Sequence, residues 1–109
     1  MDNIKVQQLK RGALEMILLS LIAKHGCTYG YAILNALDQM GEEFFRNSKP
    51  GTVYPVLYRL EAEGLIKVVD EQGAETQRKQ YSITVQGKTA LENMVSDWNH
   101  YVSVVDKFI

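Results

Sequence analysis

Residues 51–66 read GTVYPVLYRLEAEGLI, and the spacing of their apolar side chains decides the fold. Val53, Val56, Leu57 and Leu60 recur at i, i+3, i+4 and i+7, the period of an amphipathic helix with one buried stripe. Gly64 is placed to end it. The opposite face carries Thr52, Tyr54, Pro55, Tyr58, Arg59, Glu61 and Glu63. A face that meets only water is more usually built from Lys, Glu and Gln, so tyrosines, an arginine and a proline mark a contact surface. Thr52 is expected as the N-cap, which puts Pro55 in the first turn, where its missing N–H removes no intrahelical bond. A start at Pro50 would set Pro55 deeper and kink the helix.

Upstream, a first helix is expected from about Gln7 to Lys24. Its apolar residues form two faces, Leu14, Ile17, Leu18 and Leu21 on one and Ala13, Met16, Leu19 and Ala23 on the other. A small domain is expected to cover only one of them, leaving the second for a partner chain or a ligand. A second helix follows, with Thr28 as N-cap, Ile33, Ala36, Leu37 and Met40 at helical spacing, and Gly41 as the stop.

Downstream, Leu65–Val69 and Gln80–Thr84 alternate apolar and polar residues around a polar segment with Gly73 at its tip, the pattern of a hairpin. Thr84 then caps a final helix whose apolar residues Leu91, Val95, Trp98, Val102, Val105 and Ile109 keep a 4-3-4-3-4 spacing. At about 25 residues this helix is roughly 37 Å long, against a radius of gyration of about 13 Å for a 100-residue domain. Its outer half is expected to pack on something else.

The composition is that of an ordinary globular chain: 109 residues, 46% hydrophobic and 23% charged, too few for a second domain of normal size. The single cysteine, Cys27, excludes an internal disulfide and is read as a small buried residue in a reducing cytosol. The apolar run after Arg11 is too short to span a membrane and carries Glu15, so a cytoplasmic protein is expected. Net charge is −1, yet residues 44–60 hold Arg46, Lys49 and Arg59 with no acid, and Arg78, Lys79 and Lys88 form a second basic group. His25 and His100 have no third ligand near them, and no phosphate loop, paired-carboxylate motif or serine elbow occurs. The reading is of a protein that is no enzyme and needs no metal or cofactor.

Three helices, a hairpin and a long final helix make an α+β, mostly α, arrangement: a winged helix-turn-helix over residues 1–84 with a C-terminal dimerisation helix over residues 85–109. The second helix then supports the third, whose outward Tyr54, Tyr58 and Arg59 would face a DNA major groove. Thr52 and the helix N-terminus would offer donors to a phosphate.

Three stretches, YGYAI, PGTVYPVLYRLEAEGLI and RKQYSITVQG, resemble the PadR family of bacterial transcriptional regulators, in order and at matching separations across residues 29–87. The resemblance implies duplex operator DNA bound by the recognition helix and wing, a homodimer built by one C-terminal helix, and relief of repression by small aromatic or drug-like compounds. Lys49, Thr52, Tyr54, Pro55, Tyr58, Arg59, Arg78 and Lys79 are the DNA-binding candidates. Met16, Leu19, Leu91, Val95, Trp98, Val102 and Val105 are the candidates for the effector and dimer interface. Each has a plainer reading. Tyr54 could pack on the wing strands, Arg59 could pair with Glu63 at i+4, and Trp98 could be interface packing alone. The competing function is a winged-helix protein-interaction module that never touches DNA.

Overall fold

A computed structural model describes residues 8–10, 12–71 and 78–109. Its elements in chain order are α1 (Leu14–His25), β1 (Cys27–Tyr29), α2 (Gly30–Met40), the single turn α3 (Glu42–Phe45), α4 (Pro50–Ala62), β2 (Ile66–Glu71), β3 (Lys79–Ile83) and α5 (Val85–Asp106).

The core is made by the predicted stripes. Val53, Leu57 and Leu60 of α4 are fully buried against Leu18, Leu19 and Ile22 of α1, Ile33 and Leu37 of α2, Ile66 of β2 and Tyr81 of β3. Burying a side chain of this size contributes about 1.5–3 kcal/mol, so these residues carry most of the driving force for folding.

Four expectations are corrected. The first helix begins at Leu14, because residues 12–13 form a turn that separates it from helical residues 8–10; glycine at position 12 disfavours continuing the helix. Leu19 is fully buried and offers nothing to a partner. The reason is that α1 runs through the middle of the fold, packed against α5, β3, α2, β1 and α4, so Leu19 is covered by its own chain while Met16 on the same face stays half-exposed. Thr28 is not an N-cap: it is buried in a third strand, β1, and α2 starts at Gly30 after Tyr29. Finally α4 starts at Pro50, capped by Lys49 with Thr52 N–H bonded to the Lys49 carbonyl at 3.0 Å, and Pro55 lies inside the helix. Pro50 at the first helical position loses only an N–H that would be unpaired anyway. Pro55 then forgoes one bond, to the exposed Gly51.

The sheet is antiparallel in the order β1-β3-β2. Thr28 and Val68 flank Tyr81, and Tyr29 and Asp70 flank Gln80. A bulge at Val69 puts Asp70 level with Gln80, so that the Tyr29 hydroxyl reaches across β3 and donates to Asp70 Oδ2 at 3.0 Å. The hairpin tip at Gly73 lies outside the described residues.

Turn chemistry closes both ends of the long helices. At the end of α4, Leu65 N–H bonds the Leu60 carbonyl and Gly64 N–H that of Glu61, both at 3.0 Å, with Gly64 at φ +77°. This is a Schellman closure, and the positive φ explains the glycine. At the start of α5, Thr84 caps as expected, its Oγ1 accepting from Gly87 N–H at 2.9 Å.

Candidate nucleic-acid interface

The face of α4 opposite the core is open. Thr52, Pro55, Tyr58 and Arg59 are exposed, as is Lys49 at the cap, while Tyr54 is half-buried and packs against the core. Burial, and then the neighbouring Tyr58, raise the Tyr54 phenol above its ordinary pKa. A hydroxyl held neutral in this way can still donate at the rim of the face.

Lys79 and Tyr58 join the hairpin to α4. The Lys79 Nζ sits 5.9 Å from the centroid of the Tyr58 ring, within range of a cation–π contact. Arg78, exposed, precedes β3 at the hairpin root. Lys49, Tyr58, Lys79 and Arg78 are therefore exposed or half-exposed cationic and aromatic groups at one end of α4, along its face and at the root of the wing.

Arg59 is engaged elsewhere than expected. Its Nη2 donates to Glu15 Oε2 of α1 at 3.3 Å, not to Glu63. The two residues are 44 positions apart, so no helical spacing announces the pair. Two other contacts also escaped the sequence reading. Tyr29 stacks on Tyr31 with ring centroids 5.4 Å apart, and Lys10 Nζ lies 5.2 Å above the Phe45 ring. Cys27, expected to be buried, is exposed: β1 is an edge strand, and its residue pairs with Ser82 on the side away from Thr28.

A second candidate region lies where α5 crosses α1. Leu91 and Met94 pack on the core, so the first half of the α5 stripe covers α1 of its own chain. Further along, Val95, Trp98 and Val102 stay about 40% exposed, at 40, 42 and 39%, and Val105 is half-buried. Trp98 borders at least three grooves. One of about 550 Å³ is shared with Met16, Glu15, Met94, Asp97 and Tyr101. A second, about 540 Å³, runs along Ile17, Met40, Phe44 and Phe45. A third, about 290 Å³, lies along Met16, Ser20, Lys24 and Val95. Leu19 lines none of these. Among the described residues, no helix is long and apolar enough to cross a membrane, and no group of three His, Cys, Asp or Glu is placed to hold a metal ion.

An outward helix set on α1 and α2, followed by a β-hairpin whose root touches that helix, defines a winged helix-turn-helix protein. Residues 18–93 match the Transcriptional regulator PadR-like family, and the chain belongs to that family. It is 33% identical over 103 residues to an uncharacterised Lysinibacillus sphaericus protein, covering 91% of this chain and 90% of that one. It is 30% identical over 81 residues to the Escherichia coli transcriptional regulator YqjI, covering 74% of this chain and 37% of that one. Among solved structures, a Clostridium thermocellum transcriptional regulator superposes with a TM-score of 0.79 at 32% identity, over 94% of this chain and 95% of that one. A PadR family regulator from Eggerthella lenta gives 0.80 at 31% identity, over 95% and 88%. The chain is thus a DNA-binding transcriptional regulator, in a family of regulators and not of enzymes.

Proposed function

We propose that the chain binds operator DNA as a homodimer and represses transcription, with residues 1–84 forming the DNA-binding unit and residues 85–109 the dimerisation helix. A small planar aromatic compound held near Trp98 relieves the repression. The observation that carries the DNA reading is the contact of Lys79 with Tyr58, which makes the hairpin root and α4 one cationic and aromatic surface. In this reading Lys49, Arg78 and Lys79 meet phosphates, Thr52 and the N-terminus of α4 add donors, and Tyr58, Pro55 and the rim of Tyr54 face the groove. Arg59, neutralised by Glu15, contributes less than its exposure suggests. The exposed half of the α5 stripe supports the dimer, which would set two recognition helices about one helical turn, roughly 34 Å, apart.

The test is a binding titration against a duplex carrying the promoter upstream of the chain's own gene, at 50 and 200 mM salt. Three cations from each of two protomers give about six phosphate contacts, for which affinity falls roughly a thousandfold over that range. Tyr58→Ala should weaken binding with little change in thermal stability, since the ring is 49% exposed. Binding indifferent to salt and to Tyr58 counts against this surface, whereas no binding to the duplex at either salt concentration favours the protein-interaction module.

A further inference from the structure

The turn that ends α4 and the turn that starts α5 are fastened to each other, although Gly64 and Thr84 are 20 positions apart. Thr84 Oγ1 donates to the Gly64 carbonyl at 2.6 Å and accepts from Gly87 N–H at 2.9 Å, while Thr84 N–H donates to the Leu65 carbonyl at 3.1 Å. Gly87 is buried, and a Cβ there would lie 2.0 Å from the Leu65 carbonyl oxygen and 2.7 Å from Ile83 Cγ1. Only glycine allows the first turn of α5 to sit so closely on Leu65. Leu65 and Gly64 are in turn bonded back to Leu60 and Glu61 of α4. An unbroken chain of hydrogen bonds therefore runs from α4 to α5 without passing through the wing.

We propose that Thr84 and Gly87 are positioning residues for the DNA-facing helix: they lock the start of α5 to the end of α4 so that the two helices turn as one rigid body. The DNA part rests on the reading of α4 and the hairpin root as the DNA face. Without the joint, α4 and α5 would be linked only through β2 and β3 of the three-stranded sheet and through their common packing on α1. With the joint, a rotation of α5 is delivered to the end of α4. The N-terminal half of α4, where Lys49 and Thr52 lie, then swings as the far end of a lever.

The experiment places spin labels at Gly51→Cys and Ser96→Cys in a Cys27→Ser background, diluted with unlabelled protein so that only the distance within one chain is read by pulsed dipolar spectroscopy. The joint predicts one narrow distance distribution, broadened by Thr84→Val, which keeps the shape and removes the hydroxyl, and narrowed again by Thr84→Ser. Gly87→Ala should shift the mean, because the added methyl cannot fit against Leu65. On the same promoter duplex, Thr84→Val should lose roughly three- to tenfold in affinity, the scale of one net hydrogen bond, and Thr84→Ser should regain it. Unchanged widths and means overturn the proposal, as does a broadened distribution with unaltered DNA affinity. If Thr84→Val loses its helical circular dichroism, Gly87→Ala decides: an unmoved mean overturns the joint. Failure of the unsubstituted protein to bind DNA in a salt-sensitive way counts against the DNA face, and the distance measurement still decides whether the helices move together.

Discussion

The guanidinium of Arg59 reaches across the fold to the carboxylate of Glu15 at 3.3 Å, tying the open face of α4 to the first turn of α1. The two side chains are 53% and 36% exposed, so water screens the pair and its coupling should be about 0.2–1 kcal/mol. A double-mutant cycle with Glu15→Gln and Arg59→Gln, followed by thermal unfolding, should return a coupling in that range that shrinks in 1 M salt. A coupling several times larger, or one that ignores salt, would mean that the pair is drier in solution than its exposure indicates.

Two residues that share a face of α1 in the sequence should respond differently to truncation. Leu19 is fully buried, so Leu19→Ala should cost about 2–5 kcal/mol of unfolding free energy. Met16 is half-buried beside Trp98, and Met16→Ala should cost clearly less. Val102→Asp tests the dimer separately. It places a charge in the exposed part of the α5 stripe, which the monomer tolerates and a buried seam does not. Sedimentation of the unsubstituted protein at micromolar concentration should show dimers, and of Val102→Asp monomers; dimers from both would move the interface away from Val102.

Tyrosine titration should be spread toward high pH. The hydrogen bond from Tyr29 to Asp70 raises its pKa first, with smaller contributions from desolvation and the charge of Asp70, while burial raises that of Tyr54. Raised folded-state values mean that the native state holds these protons more tightly than the unfolded chain does. The associated stability is therefore fully present below the unfolded value near about 10 and is lost as pH climbs through the folded values. Absorbance at 295 nm should show late-ionising phenols, with Asp70→Asn removing the Tyr29 contribution and Tyr54→Phe the other. An unaltered titration curve in Asp70→Asn would show that the 3.0 Å contact does not persist in solution.

Most of the fold was legible because it is written in periodicity. Val53, Leu57 and Leu60 are at the buried positions their spacing demands, Gly64 and Gly41 end their helices, and Thr84 caps α5. What escaped was non-local or too short to have a period. Strand β1 has three residues, so Thr28 looked like a cap when it was a partner of Tyr81. Pro50 looked like a residue ahead of a helix when its fixed φ made it the first residue inside one. Leu19 seemed surplus because the pattern of α1 alone cannot reveal that five other elements surround it. In the candidate site the exposed residues of α4 were found from helical phase. Glu15, the partner that changes the reading of Arg59, is 44 residues away and left no signal.

Trp98 is the residue through which an effector should be seen. It is 42% exposed, it is the chain's one tryptophan, and it separates the groove of Met16, Met94, Asp97 and Tyr101 from that of Met40 and Phe44. Thioether and aromatic walls adapt to flat ligands of varied outline, and Asp97 offers a polar group for orientation. A planar aromatic compound stacked there should quench the fluorescence of Trp98 and shift α5 against α1. Coupled to the DNA face at about 1–3 kcal/mol, such binding should lower affinity for the promoter duplex roughly 5- to 150-fold. Titration with planar aromatic drugs and phenolic acids should therefore show quenching and loss of DNA binding at the same concentrations. Trp98→Ala should abolish the response to the compound, with sedimentation used to check that the variant still forms the dimer. Quenching without any loss of DNA affinity would make Trp98 a packing residue of the helix interface, and the relieving signal would then enter elsewhere.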